Sequence, residues 1–300
     1  MGTLDGKVAV VTGAGRGIGR GEAMVLAAEG ARVVVNDLGG EWDGTGADTR
    51  HAQLVVDEIT AAGGEAVANY DDVADWEGAQ RLVNQAIETY GDVNVLVNNA
   101  GILRDRMSFN MGEEDWDAVI GVHLKGHFAP SRFTAAYWRE RGKAGEEVYG
   151  RIVNTSSEAG LYGNAGQLNY AAAKAGIAAM TIVLARELEK YGVTVNAIAP
   201  RARTRMTERT FEGFGTAEEG AFDEMHPDNI APLVGFLASP AAGDVSGQVF
   251  VVWAGHVHRM GGWSVESRID KGARWTIDEL AARKADLFGA EGGKIPPMIL

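Results

Sequence analysis

An open α/β fold, with a doubly wound parallel sheet covered on both faces by helices, is what this sequence predicts, and three observations predict it. Short β-branched runs alternate with longer alanine- and leucine-rich stretches of helical spacing. Those runs are apolar at nearly every position, as strands buried on both faces require. The first run passes through a glycine-rich turn straight into the first helical stretch. Such alternation demands parallel strands joined by helical crossovers.

The elements follow in order. Val8–Val11, Arg32–Val35, Val93–Val97, Arg151–Asn154, Val193–Ile198 and Val249–Val252 read as strands, and a further strand, the third, ends in "NYDDV", Asn69 to Val73. A polar insertion, Gly39 to His51, follows the second strand; loops of that length in a compact domain are usually functional or mobile. After "GQVFVVWAG" the pattern changes to a mixed-charge tail, Trp263 to Leu300, with one helix expected over Ile277–Phe288.

Composition sets bounds on function. At 300 residues, 46% hydrophobic and 23% charged, the chain suits one large open α/β core or two small domains. With no cysteine, disulfides and thiolate metal sites are excluded, which also fits a reducing cytoplasm. A net charge of -13 argues against nucleic acid or an anionic membrane as the main partner. "KVAVVTG" is too short for a signal-peptide core, and the longest apolar stretch, Ala175 to Ala185, falls short of the ~20 residues of a membrane helix. The expected location is the cytoplasm.

The first strand ends in "TGAGRGIGRGEA", where Gly13, Gly17 and Gly19 lie between strand and helix, with Arg16 and Ile18 among them. Glycines there permit a tight turn and close approach to a pyrophosphate, which then sits on the free N–H groups of the helix. A glycine turn that binds nothing is the alternative. Asp37, ending the second strand some 18 residues after Gly19, is placed to accept hydrogen bonds from an adenine ribose. A carboxylate there repels a 2′-phosphate, so NAD is favoured over NADP; Arg16 pulls the other way. Asp72 and Val73 close the third strand, and Asn99, Ala100 and Gly101 in "VLVNNAG" the fourth. All lie at the carboxyl ends of parallel strands, where open α/β sheets bind ligands. A Rossmann-type dinucleotide-binding and catalytic domain is therefore expected over residues 1–260, with residues 261–300 an extension packed on it or on a neighbouring subunit.

The stretch "SEAGLYGNAGQLNYAAAK" carries the chemistry. Ser156 and Ser157 end the fifth strand, and Tyr170 and Lys174, four apart, share one helix face. A phenol of pKa ~10 is a poor base at neutral pH, and moving it ~3 units needs ~4 kcal/mol, which a close ammonium and a nicotinamide cation together could supply. A serine hydroxyl would hold the substrate oxygen beside the phenol, which exchanges the proton while hydride moves at the nicotinamide.

These residues, "TGAGRGIG", Asp37, "NNAG", "NTSSEAG" and "YAAAK", resemble in order and spacing the short-chain dehydrogenase/reductase family. The resemblance implies Ser157, thirteen residues before Tyr170, as the catalytic serine with Tyr170 and Lys174. It places Tyr170, Lys174 and Pro200 beside the cofactor as well. Where many members carry an asparagine in a W-x6-N-L context, "WDAVIGVHLKG" offers His123, able to donate and accept as a proton relay; a packed helix histidine is the other reading. Many members also have Pro-Gly where this chain reads Pro200-Arg201.

"VNDLGG", "NNAGILRDRMSF", "VHLKG" and "IAPRARTRMT" are most similar to the (3R)-hydroxyacyl-CoA dehydrogenase part of multifunctional β-oxidation enzymes, the 17β-hydroxysteroid dehydrogenase type 4 group. That implies NAD-dependent oxidation of a 3-hydroxyacyl-CoA, a sterol side chain among the candidates, in a homodimer or homotetramer. A 17β-hydroxysteroid dehydrogenase, a 3-oxoacyl-carrier-protein reductase, or an NAD-binding regulator without turnover are the competing readings. Arg104, Arg106, Arg201, Arg203, Arg205 and Arg209 could meet CoA phosphates, or form surface ion pairs. Leu161, Tyr162, Phe211 and Phe214 could line an acyl pocket, or belong to the core. No metal site is expected, since "GHVH" lacks companions at ligand spacing, and no G-x-S-x-G elbow supports a hydrolase.

Overall fold

The computed structural model describes residues 2–46, 48–207, 220–289 and 292–293. Arg209, Phe211 and Phe214 lie outside the described residues. The chain divides into two compact units, Met1–Met260 and Gly261–Leu300.

The larger unit alternates as its sequence requires: β1 (Val8–Thr12), α1 (Gly17–Ala28), β2 (Arg32–Asn36), α2 (Arg50–Ala61), β3 (Glu65–Asn69), α3 (Trp76–Tyr90) and β4 (Val95–Asn98). Then come α4 (Glu113–Ile120), a π-helical turn (Gly121–Lys125), α5 (Gly126–Lys143), β5 (Gly150–Thr155), α6 (Glu158–Tyr162), α7 (Leu168–Leu188), β6 (Val193–Pro200), α8 (Ala231–Ala238), β7 (Val249–Trp253) and β8 (His256–Arg259). The sheet order is β3-β2-β1-β4-β5-β6-β7-β8, parallel from β3 to β7. The chain starts mid-sheet, winds one way to β3 and returns past β1 to β4. Between β1 and β4 the strand order reverses, and a crevice opens at the carboxyl ends.

Successive strand residues serve opposite faces. Ala9, Val11, Val33, Val35, Val95 and Val97 join Leu26, Ile59 and Leu237 of α1, α2 and α8 in one core layer. Val8, Val10, Val34 and Leu96 join Leu82, Trp138, Leu184 and Leu188 of α3, α5 and α7 in the other. Each fully buried large aliphatic side chain contributes about 1.5–3 kcal/mol.

Three local features depart from the expected pattern. β8 pairs antiparallel with β7, Val252 opposite Val257, through a turn in which Ala254 takes a left-handed φ of 45°. All four β8 residues are exposed, so no apolar alternation marks this strand in the sequence. α6 forms directly after Ser157, whose hydroxyl accepts from Ala159 N and caps it. In the smaller unit the expected helix is two, α9 (Ile277–Ala282) and α10 (Lys284–Phe288), divided at Arg283. A Thr276/Glu279 capping box starts the first.

One described helical stretch, Leu168–Tyr191, is long and apolar enough to cross a membrane by length and composition, with a mean hydropathy of 1.4. Ala173, Lys174, Ile177, Thr181, Leu184 and Leu188 are buried on a helix packed along β6 and α6, while Leu168, Ile182 and Val183 are exposed.

Candidate active site

At the switch point a cleft of ≈ 330 Å³ is lined by Gly13, Arg16, Gly17, Ile18, Gly19, Asp37, Asp72, Val73, Asn99, Ala100 and Gly101. Eleven residues separated along four strand ends thus meet in one concavity. Pro200, the last residue of β6, is not among the lining residues. Leu38, Trp42, Ile102, Thr204, Arg205 and Met206 also line it; of these only Arg205 was singled out in the sequence, and for phosphate. Their segments reach the cleft only through long-range packing, as when Leu103 N donates to Trp42 O at 2.9 Å.

The turn after β1 is built by contact. Gly13 has φ 62°, and a Cβ there would lie 2.7 Å from Ala100 Cα; only glycine lets the two strand ends close. Thr12 Oγ1 accepts from the backbone N–H groups of Asn99 and Ala100 at 3.0 and 3.1 Å. Asn99 Nδ2 donates to the carbonyls of Thr12 and Gly13. Asn99 therefore binds the two loops together. No side chain caps the amino end of α1, so its first-turn N–H groups are open toward an anion.

Asp37 is fixed at the cleft rim by two backbone donors, Gly15 N at 2.8 Å and Gly39 N at 2.6 Å. Gly15 was missed in the sequence, although the alternate glycines of "TGAGRG" carry it. The Arg16 guanidinium donates to Gly40 O at 2.8 Å and keeps a buried Nε without a partner. Arg205 approaches it and pairs with Glu41 at 3.3 Å. This corner thus holds two carboxylates and two guanidiniums. Asp72 Oδ1 accepts from Ala74 N at 2.8 Å, which sets the turn after β3. The open helix end, the orphaned Arg16 Nε and the carboxylate rim together fit a dinucleotide.

Lys174 on α7 reaches back to the end of β5; it, Tyr170, Ser157 and His123 are not among the residues lining the cleft. Lys174 is 2% exposed, and its Nζ donates to Thr155 O at 2.6 Å. Burial pushes its ammonium down to about 7. The same Nζ lies 5.5 Å from the Tyr170 ring centre. Against the burial that raises the Tyr170 phenol, the Ser157 hydroxyl pulls its titration down. Ser156 Oγ instead donates to Lys174 O at 2.8 Å, so it fixes the helix and leaves Ser157 to face the phenol. Burial pushes the Tyr170 phenol up, above its ordinary value. The near-neutral phenol read from the sequence requires a nicotinamide cation beside it as well as the ammonium; in the chain by itself burial raises it. Nothing in a one-dimensional spacing reveals that both groups are desolvated, which raises an acid and lowers a base.

His123 sits in the π-helical turn, 1% exposed, its ring edge-on to Tyr170 at 5.1 Å between centroids. Its Nε2 is 2.7 Å from Ile102 O and 3.1 Å from Ile102 N, while Nδ1 has no partner. Donation from Nε2 to the carbonyl leaves the Nδ1 lone pair free. A Cβ on Gly101 would meet His123 Cε1 at 2.4 Å, so that glycine makes room for the ring. Burial first, then Lys174, holds His123 well below the ordinary histidine range. His127, one turn on, is equally buried and held neutral by the same causes; sequence reasoning passed over it.

The described arginines proposed for phosphate are largely engaged. Arg201 forms a two-point ion pair with Glu158, next to Ser157, and its guanidinium lies 4.2 Å from the Trp253 ring centre. Arg203 pairs with Asp223, Arg205 with Glu41 and Arg106 with Asp115, and Arg104 donates to the carbonyls of Asp43 and Glu114. Arg106, Arg201, Arg203 and Arg205 thus form ion pairs, whereas Arg104 is held by backbone carbonyls. His256 stacks on Trp253 at 4.6 Å, and no cluster of three metal-ligating residues occurs among the described residues.

Comparison with known proteins matches residues 7–213 to the short chain dehydrogenase family. The hydroxyacyl-CoA dehydrogenase ChsB1 of Mycobacterium tuberculosis is 50% identical over 95% of this chain and 89% of its own. The mouse peroxisomal multifunctional enzyme type 2 is 44% identical over 86% of this chain, which spans 33% of that longer protein. A crystal structure of a short chain dehydrogenase from Mycobacterium avium, 55% identical, superposes with a TM-score of 0.87 over 99% of both chains.

Proposed function

Because this chain belongs to the short chain dehydrogenase family, an oxidoreductase family, we propose that it is an NAD-dependent dehydrogenase interconverting a 3-hydroxyacyl-CoA and the 3-oxoacyl-CoA. The observation that carries the chemistry is the grouping of buried Lys174 with half-buried Tyr170, 5.5 Å from its Nζ to the ring centre, and with Ser157 at the end of β5. Support for the substrate is the 50% identity, over nearly the whole chain, to a hydroxyacyl-CoA dehydrogenase.

The nicotinamide, when bound, accepts or returns the hydride. The protein's part is to bind, orient and move a proton. Ser157 donates a hydrogen bond to the substrate oxygen and holds it at the Tyr170 hydroxyl. Tyr170 takes the proton in oxidation and gives it in reduction. Lys174, anchored on Thr155 O, carries positive charge to the phenol when protonated. His123, with Nδ1 free, accepts and passes on the proton from that pair. Asp37 accepts from ribose hydroxyls, which selects NAD, while Gly13, Gly17 and Gly19 admit the pyrophosphate to the open end of α1. On this reading exposed Leu168, Ile182 and Val183 of α7 and Phe128 of α5 form a homodimer or homotetramer contact.

The test is a panel of 3-hydroxyacyl-CoAs, steroidal ones included, against free 17β-hydroxysteroids, with NAD and NADP. Oxidation of a CoA ester with NAD is expected. Tyr170→Phe is expected to lower kcat by about 10³-fold with NAD binding retained; full turnover in that variant would refute the assignment.

A further inference from the structure

The first N–H groups of a helix have no intrahelical carbonyl to meet, and in α7 the Tyr170 N–H is one of them. Gln167, which precedes the helix, makes no capping bond with its side chain. Asn169 does that work from inside the turn: its Oδ1 accepts from Tyr170 N at 2.7 Å. The same amide donates from Nδ2 to Arg104 O and to Asp115 O, each at 3.0 Å. Asn169 is 0% exposed, and both its amide hydrogens go to backbone carbonyls outside its own helix. Only this orientation of the amide serves all three partners, because a carbonyl cannot donate.

Arg104 belongs to the segment that leaves β4. Ala100, Gly101 and Ile102, just before it, line the cleft. Ile102 O lies 2.7 Å from His123 Nε2, Leu103 N donates to Trp42 O at 2.9 Å, and Arg104 Nε donates to Asp43 O at 2.9 Å. One short stretch therefore joins the cofactor-lining strand end, His123 and the insertion after β2. Asp115 stands in the first turn of α4. Through Asn169 the peptide of Tyr170 is fastened to both. Two neighbouring ties hold the same junction without reaching Tyr170: Arg106 N donates to Gly166 O at 2.8 Å, and Gln167 Nε2 donates to Asp105 Oδ2 at 2.8 Å.

We propose that Asn169 is a positioning residue that sets the register between the Tyr170 phenol and the cofactor-lining end of β4. It rests on the proposed role of Tyr170. The phenol and the residues of the cleft belong to separate elements, and a misplacement of about 1 Å between reacting groups can cost about 10²-fold in rate. Asn169 precedes Tyr170 directly and bonds the segment that continues from the cleft wall, so it closes that gap in the shortest way. It does not line the cleft itself and acts through the Tyr170 peptide. A carboxylate of the same shape would turn lone pairs toward Arg104 O and Asp115 O, and an aliphatic side chain would leave both carbonyls and the Tyr170 N–H without this partner.

The experiment compares Asn169→Ala, Asn169→Asp and Gln167→Ala in the full chain by 3-hydroxyacyl-CoA oxidation with NAD. Both Asn169 variants are expected to lower kcat by roughly 10- to 100-fold with KM for either substrate within about threefold of wild type. The primary deuterium isotope effect with substrate deuterated at C3 is expected to rise, because chemistry then becomes slower than product release. Gln167→Ala breaks a neighbouring tie and is expected to lower Tm while keeping kcat within about threefold. If the alanine variant fails to fold, the isosteric Asn169→Asp carries the same test. A wild-type kcat in the Asn169 variants, a loss confined to KM, or an equal kcat loss in Gln167→Ala would overturn the proposal. Hydrogen exchange at the Tyr170 amide is expected to be roughly tenfold faster in Asn169→Ala, and unchanged exchange would count equally against it. That readout follows the clamp whether or not the phenol reacts, so full turnover by Tyr170→Phe would sink the functional reading separately.

Discussion

Glu22 offers a sharp test of the physical picture of this fold. It lies on α1, the helix whose amino end opens on the cleft, with 0% exposure and no hydrogen-bond partner for either carboxylate oxygen. Burial pushes its carboxyl from 4.5 up to about 8. The folded protein therefore keeps a proton between those values that the unfolded chain has already released. Stability from this group is fully present below pH 4.5, declines as pH rises, and is lost once pH passes the folded value. A gap of about 3.5 units (8 - 4.5) sets a ceiling near 5 kcal/mol. Glu22→Gln has nearly the same shape and cannot ionise. It is expected to match wild type near pH 4.5 and to exceed it increasingly up to pH 8, by about 10 °C or more in Tm if the ceiling is approached. Thermal unfolding of both proteins from pH 5 to 9 is the assay. A difference independent of pH, or a glutamine variant less stable at pH 8.5, would refute the reasoning by showing that the carboxylate is paired or wet.

Two further outcomes concern the cleft. Asp37→Ala is expected to lower kcat/KM with NAD at least tenfold and to narrow the preference over NADP, since a charged hydrogen bond contributes about 1.5–3 kcal/mol and Arg16 would then meet the 2′-phosphate unopposed; an unchanged cofactor ratio would discredit that role. His123→Asn, which still donates and accepts, is expected to keep kcat within about tenfold of wild type, whereas His123→Leu loses about 10²-fold in kcat with little change in KM; a fully active leucine variant would assign the ring to packing alone.

How much of this was legible beforehand depends on whether the signal was local. The strands β1, β2 and β4 to β7 and the glycine turn announce themselves within a few residues, because burial on both faces and a tight turn dictate residue type position by position, whereas β3, largely unburied, shows only where it ends. Asp37 and Asp72 followed from where strands end. β8 did not, because four exposed residues carry no alternation, and α6 did not, because its five residues depend on a cap from Ser157. The directions of titration at Tyr170 and Lys174 required knowing that both are desolvated. Partners such as Glu41 for Arg205, 164 residues apart, or Gln167 for Asp105, 62 apart, exist only after folding.

The loop after β6 carries a consequence for how a multiply charged substrate is received. Arg201, Arg203 and Arg205 each enter with a carboxylate of the chain already in place. At Arg201, Arg203 and Arg205 a phosphate must trade places with Glu158, Asp223 or Glu41. Exchange of one anion for another gains little net Coulomb energy, and added salt screens the incoming and the displaced pair alike. Recognition in that region is then expected to be weakly dependent on ionic strength. Displacing Glu158 from Arg201 would bring the substrate's charged end beside Ser157, the hydroxyl proposed to hold its oxygen.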